Sequence, residues 1–303
     1  MTTLPPALRL ILGLFILAMF GLELLLLRRR QLQGYDWRES LASFVIAVGQ
    51  RLIGVLAAAL LWPLFAWVHG HRLFTVNVAS PGGVIALFLG VEFFYYWEHR
   101  LSHRVRWLWA THSVHHSPER LNLSAAYRLG WTSLLSGIPL FLVPMMWLGF
   151  PPTAVLAMTA LNLLYQFWLH TTWVPKLGWL EYVFNTPSAH RVHHASNVDY
   201  LDANYGGVLI VFDRLFGTYV EERADEPCRY GLVTPTTSRN PFVVEFEHWA
   251  TLIRDVFTAK SVWIAINHVI QPPGWLPDGG GETTEELRRK GKAVSSAVET
   301  VNG

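Results

Sequence analysis

The sequence predicts an all-α integral membrane protein, with about four to five transmembrane helices and a cytoplasmic-side helical cap that carries a His-rich dinuclear metal site. Three observations predict it. Of 303 residues, 51% are hydrophobic and 15% charged, and the mean hydropathy is +0.27; soluble domains carry roughly 25% charged residues. Apolar stretches of bilayer-spanning length recur through the first half of the chain. Histidine, with 13 residues, is concentrated in spaced clusters rather than scattered.

A crossing helix needs about 20 mostly apolar residues. The first span runs from about Leu8 to Leu27 and contains one acid, Glu23. Arg28, Arg29 and Arg30 follow it and read as the flank of a retained anchor rather than of a cleaved signal peptide. The second span, about Leu41 to Val68, is interrupted by Gln50 and Arg51, and a third runs from Gly83 to Trp97. Two more, about Thr132 to Phe150 and Thr153 to Leu169, flank Pro151 and Pro152, which predict a tight hairpin because proline stops one helix and suits the start of the next.

Lys and Arg accumulate in cytoplasmic loops. Arg28, Arg29, Arg30 and Arg38 lie between the first two spans, and Arg100, Arg104, Arg106, Arg120 and Arg128 follow the third, whereas the opposite connections hold only Arg72. Five crossings with an outside N-terminus satisfy this bias, and so does a final hairpin that re-enters without crossing. Either topology places His99 to Arg128, and everything after His170, in or at the cytoplasm.

Beyond Trp173 the chain becomes more polar. Tyr205 to Phe216 reads as a short strand or an interfacial helix, Val243 to Ile270 as helical and surface-associated, and Gly279 to Gly303 as a disordered tail. The expected organisation is N-terminal anchor helices over 1–82, a catalytic domain over 83–232, an interfacial helical segment over 233–278 and a tail over 279–303. The lone cysteine, Cys228, excludes an internal disulfide and a thiolate metal cluster. A net charge of +2 with no basic tract interleaved with aromatics excludes nucleic acid as a partner.

His99 and His103 are four apart in EHRLSH, a spacing that puts both imidazoles on one helix face. His112, His115 and His116 follow in HSVHH, and the same offsets recur at His190, His193 and His194 in HRVHH. His170 stands alone at the inner end of the fifth span. The topology brings all four sets to one membrane depth. So many imidazoles without a cysteine exceed the needs of one tetrahedral zinc and suit two metals, each with several nitrogen ligands and a position left for oxygen or water, which is how a protein builds an iron site that activates O2. Glu98, Glu119, Asp199, Asp202 and Asn204 are near enough in sequence to orient the rings, and Glu119 is the candidate catalytic carboxylate lying against the metals. His69, His71, His248 and His268 fall outside the pattern. A metal transporter would place its ligands near the bilayer midplane along a path, and a metal-free scaffold would leave the clusters unexplained.

These residues resemble the fatty acid hydroxylase and sterol desaturase superfamily of integral-membrane di-iron enzymes. Its HxxxH, HxxHH and HxxHH signature matches HRLSH at His99, HSVHH at His112 and HRVHH at His190, and the resemblance covers about Gly82 to Gly231. Within the superfamily, EFFYYWEHRLSH, HHSPERLNLSAAYR, NTPSAHRVHH and NYGGVLIVFDRLFGTY are most similar to the alkylglycerol monooxygenase branch. The resemblance implies two Fe2+ ions, O2 as co-substrate, a lipid substrate met in the membrane, and hydroxylation of the carbon beside an ether oxygen. It also implies a separate electron donor: tetrahydrobiopterin in that branch, cytochrome b5 or ferredoxin in related ones. Desaturation of sterols or acyl lipids on the same metal centre is the alternative. The fatty acid hydroxylase branch has a further His four residues beyond the counterpart of His170; Val174 stands there, which argues against fatty acid 2-hydroxylation.

Overall fold

The computed structural model describes residues 6–32, 34–236 and 238–291. Three long helices open the chain: α1 over Pro6–Arg29, α2 over Trp37–Gly70 and α3 over Pro81–Arg104. Asp36 caps α2 by accepting the N–H groups of Arg38 (2.9 Å) and Glu39 (3.4 Å). Ser80 caps α3 through the Gly83 N–H, with Pro81 in the first turn where its missing N–H costs nothing. Among the described residues α2 is long and apolar enough to cross a membrane. Large apolar side chains such as Leu17 on α1 and Leu52 and Val55 on α2 face outward.

Val105, extended at φ −122° and ψ 116°, ends α3 and starts α4 over Arg106–His116. This one-residue corner folds α4 back against α3. The fourth expected span is not one helix: residues 133–148 form α5 over Ser133–Ser136, a 3-10 turn over Ile138–Leu142 and α6 over Val143–Leu148. Gly137 ends α5 with φ +81°, a conformation that glycine adopts without steric cost, and Pro139 and Pro144 withhold N–H groups that a continuous helix needs. Pro152 then opens α7 over Pro152–Phe167, as the hairpin reading expects. A buried cluster of Phe65, Leu87, Val91, Met145, Met146 and Val155 joins α2, α3, α6 and α7.

Helices α8 over Pro187–His193, α9 over Val211–Phe216, α10 over Pro241–Phe257 and α11 over Val262–Ile270 follow. No strand occurs among the described residues, only isolated antiparallel bridges at Phe184–Leu209 and Ala195–Tyr230. The segment Tyr205 to Phe216 thus ends as a helix, and Val243 to Ile270 is helical in two pieces. The tail expectation is corrected over its described part. Residues 284–291 are helical, begun by Thr283 Oγ1 accepting the Glu286 N–H (3.3 Å) and tied down by the Arg104–Glu285 pair (2.5 Å) and by Arg288 donating to the Leu201 carbonyl (2.7 Å). Polar composition suggests disorder there, but these long-range arginine contacts offset the ordering cost. Residues 292–303, the rest of that expectation, lie outside the described residues.

Helix α10 docks on α4 through Trp249, which is 4% exposed, stands edge-on to Trp107 at 4.7 Å and donates its indole N–H to Thr132 Oγ1 at 2.9 Å. Truncating a buried Trp costs about 3–5 kcal/mol. Trp249→Ala is therefore expected to lower the thermal unfolding midpoint and expose α10 to limited proteolysis; an unchanged midpoint and cleavage pattern would show that α10 contributes little to holding α4.

Candidate metal centre

The local structure explains why the clustered histidines meet. The Val105 corner lays α4 across the end of α3, so His112 and His116 face His99 and His103, while His115 turns to His170 and His194. Thr186 caps α8 through the Ala189 N–H and Pro187 sets its first turn, placing His190, His193 and His194 on one short helix end. His170 follows α7 directly. All nine sequence-selected histidines come together, in a group of five (His99, His103, His112, His116, His193) and a group of four (His115, His170, His190, His194), with potential ligand atoms within 4.8 Å of one another in each. The triplets interlock: each gives its i, i+4 pair to one group and its middle residue to the other. All are buried except His112, which is half-buried.

The ring nitrogens show what these groups fit. His115 Nδ1 lies 3.1 Å from the Arg128 carbonyl and His170 Nδ1 lies 2.9 Å from the Gln166 carbonyl. A neutral imidazole has one N–H, so donating it to a carbonyl leaves Nε2 with a bare lone pair. The two Nε2 atoms nevertheless face each other at 3.2 Å. Facing lone pairs repel unless a cation lies between their axes. Adjacent nitrogens bound at about 2.1 Å to one metal ion at right angles are about 3.0 Å apart. His99 to His112 (3.0 Å), His116 to His112 (3.2 Å), His190 to His170 (3.1 Å) and His194 to His190 (3.1 Å) repeat that Nε2–Nε2 separation. The buried Nε2 atoms of His103 and His193 have no hydrogen-bond partner. The donor set fits two divalent ions of borderline softness held by neutral nitrogen.

Electrostatics favours the same state. Burial, reinforced by neighbouring imidazoles, pushes His112, His116, His170, His190, His193 and His194 well below the ordinary histidine range, and burial pushes His115 down to about 4. These rings are neutral at pH 7, the form that metal ligation requires.

The second layer differs from the sequence expectation. His99 Nδ1 donates to the Tyr205 carbonyl (2.8 Å) and His193 Nδ1 to the Ala203 carbonyl (2.9 Å), so backbone oxygens orient four of the rings. Among the expected side chains only Asp202 approaches a ligand, 3.6 Å from His103 Nδ1. Asn204 binds the Ala189 and Val220 carbonyls, Glu98 accepts from Ser102, and Asp199 pairs with Arg223 at the surface. Glu119 is not brought to the cluster: its carboxylate is exposed, 3.8 Å from Arg239, because the turn after α4 directs it outward while its N–H donates to Glu39. His69, His71, His248 and His268 remain outside both groups.

Residues that the sequence analysis missed hold the carbonyl layer. Glu92, buried within α3, accepts from Asn162 (2.5 Å), Val208 N–H (2.9 Å) and Leu209 N–H (2.8 Å), and Asn162 accepts from Gln166 (2.6 Å). Asp213 receives the N–H groups of Tyr205 (2.7 Å) and Gly206 (2.8 Å). Arg128 is fixed by Ser43 (2.9 Å), Ser117 (2.7 Å) and the Glu39 carbonyl (3.0 Å). A carboxylate inside an apolar span is the one signal that could have identified Glu92, since such residues are costly and mark function.

A cavity of about 330 Å³ opens onto His103, His116, His193 and His194. Its other walls include Trp109, Leu201 and Leu232 together with Thr234, His248 and Leu287.

The fatty acid hydroxylase family model matches residues 84–218. Similar curated proteins include an alkylglycerol monooxygenase from Homo sapiens (39% identical over 218 residues, 71% of this chain and 47% of the relative) and one from Danio rerio (42% over 190 residues, 63% and 42%). The ornithine lipid hydroxylase OlsE of Rhizobium tropici is 34% identical over 128 residues, 42% of this chain and 39% of the relative. The chain thus spans about half the length of the alkylglycerol monooxygenases it matches. No solved structure matches it. The matched residues contain both histidine groups in full, and this part of the chain is a fatty acid hydroxylase domain.

Proposed function

We propose that the protein is a multi-pass membrane monooxygenase that hydroxylates a lipid C–H bond, with an ether lipid of the alkylglycerol class as substrate. The observation that carries this reading is the pair of all-imidazole groups whose Nε2 atoms stand at the spacing of ligands on a common ion. The named activity of the relatives supplies the substrate class. Two ferrous ions held by His99, His103, His112, His116 and His193, and by His115, His170, His190 and His194, would supply O2 activation and the oxidising capacity for insertion of one oxygen atom. The balance, RH + O2 + 2e⁻ + 2H⁺ giving ROH and water, requires a separate reductant such as tetrahydrobiopterin, cytochrome b5 or ferredoxin.

The chain's own groups do the positioning. Carbonyls of Tyr205, Arg128, Gln166 and Ala203 fix ring orientation, and Leu201, Leu232 and Trp109 supply apolar wall to the cavity beside the ligands. Helices α1, α2 and α3 cross the bilayer in this reading, and the broken 133–148 segment with α7 completes the embedded part. Support comes from the outward apolar faces of α1 and α2 and from the arginines gathered at the histidine end of α3. The centre then lies at the cytoplasmic face. The order 1–82 anchor, 83–232 catalytic domain and 233–278 interfacial segment is retained.

Iron-loaded protein in lipid nanodiscs, given O2, a reduced pterin and a 1-O-alkylglycerol, is expected to yield the fatty aldehyde that follows hydroxylation beside the ether oxygen. A product lacking two hydrogens would instead assign desaturation. His115→Ala and His193→Ala, one from each group, are expected to lower turnover by about 100-fold or more while the protein still extracts as a membrane protein; near-normal turnover in both would refute the ligand assignment. Leu232→Trp, which fills the cavity, is expected to cut kcat/KM by about tenfold at unchanged iron content; unaltered kinetics would place substrate elsewhere.

A further inference from the structure

Glu23 lies in α1, outside the residues that the family model matches. Along the last two turns of α1 the side chains face outward except for Glu23, fully buried, Leu27, 1% exposed, and the half-buried Leu26. An unpaired carboxylate in an apolar span is costly and would be expelled, but this one is saturated with donors. Its Oε1 accepts the Thr171 hydroxyl at 2.5 Å, and its Oε2 accepts the Leu123 N–H at 3.0 Å and the Tyr35 hydroxyl. Phe20, one turn earlier, packs on Tyr127 and Phe167, and Arg30 donates to the Trp173 carbonyl at 2.8 Å. Phe20, Glu23 and Leu27, spaced by three and four residues, form one helix stripe that Arg30 continues just past the end of α1.

The donors to Glu23 lead to the group of four histidines. Thr171 is adjacent to His170, and its carbonyl accepts Arg191 Nη1 at 3.2 Å, the residue after His190 on α8. Leu123 begins the turn that ends at Arg128, whose carbonyl orients His115. One carboxylate thus joins two segments that lead to His115, His170 and His190. The group of five is oriented instead through Tyr205, Ala203 and Asp202.

We infer that Glu23 is a positioning residue for the metal site formed by His115, His170, His190 and His194, so that α1 is part of the catalytic centre as well as an anchor. This inference rests on the two-metal reading above. It is tested with the full chain in detergent, titrated anaerobically with Fe2+ or Co2+ alone, comparing wild type with Glu23→Leu, Glu23→Gln and Thr171→Val. Wild type is expected to bind two ions. Glu23→Leu is expected to bind one as wild type does and the other at least about tenfold more weakly, with Glu23→Gln between them because it keeps one acceptor oxygen, and with the melting midpoint of the metal-free protein little changed. Two wild-type affinities in Glu23→Leu would overturn the inference. If Glu23→Leu loses both ions or fails to fold, Thr171→Val decides, since it removes one contact and leaves the carboxylate: selective weakening of one ion supports positioning, and unchanged affinities overturn it. Fewer than two ions on wild type would instead overturn the two-metal reading itself.

Discussion

The structure depends on a constraint on imidazole lone pairs. Each ring that gives its only N–H to a backbone carbonyl must present a bare nitrogen elsewhere; His115 and His170 direct theirs at one another across 3.2 Å, and four further Nε2–Nε2 separations of 3.0–3.2 Å surround them in the same cluster. Water could satisfy a few such atoms but not an interlocked set from α3, α4, α8 and the end of α7. Cations held there would remove the repulsion and also the penalty for burying unpaired polar atoms, about 1–3 kcal/mol each. The corner at Val105, the cap at Thr186 and the docking of α10 on α4 are the means by which the chain enforces that geometry.

The layer behind the rings follows from charge. Nine neutral ligands would leave two divalent ions with their full positive charge, yet the structure places mostly carbonyl oxygens against the rings and keeps its buried carboxylates one step further out. Carbonyls fix the tautomer as well as carboxylates do, without a proton equilibrium of their own. Glu92 and Asp213 act on the backbone that presents those carbonyls. A carboxylate that receives two backbone N–H groups fixes the path of a loop, and so the position of a carbonyl, and both Glu92 and Asp213 do so from buried positions.

Much of the site was legible because it is local. Four- and three-residue spacings on helices state which rings share a face. The division into five and four was not legible, because whether His115 joins His112 or His170 depends on how α4 packs against α7 and α8. The orienting partners were not legible for the same reason: Tyr205 is 106 residues from His99. Glu119 misled because proximity in sequence says nothing about which way a turn points. In the fold, the long helices α1, α2, α3 and α7 were readable from apolar runs, whereas the break at Gly137 depended on glycine and proline signals inside a run that is apolar throughout. The helix over 284–291 was hidden because polar composition carries no record of the distant partners of Glu285 and Arg288.

The most direct measurement is iron K-edge X-ray absorption on the purified, anaerobically loaded protein. The account predicts a first shell dominated by nitrogen at about 2.1 Å with the outer-shell scattering of several imidazoles per iron. A first shell of mainly carboxylate oxygen, or one with imidazole scattering from no more than a single ring, would contradict it.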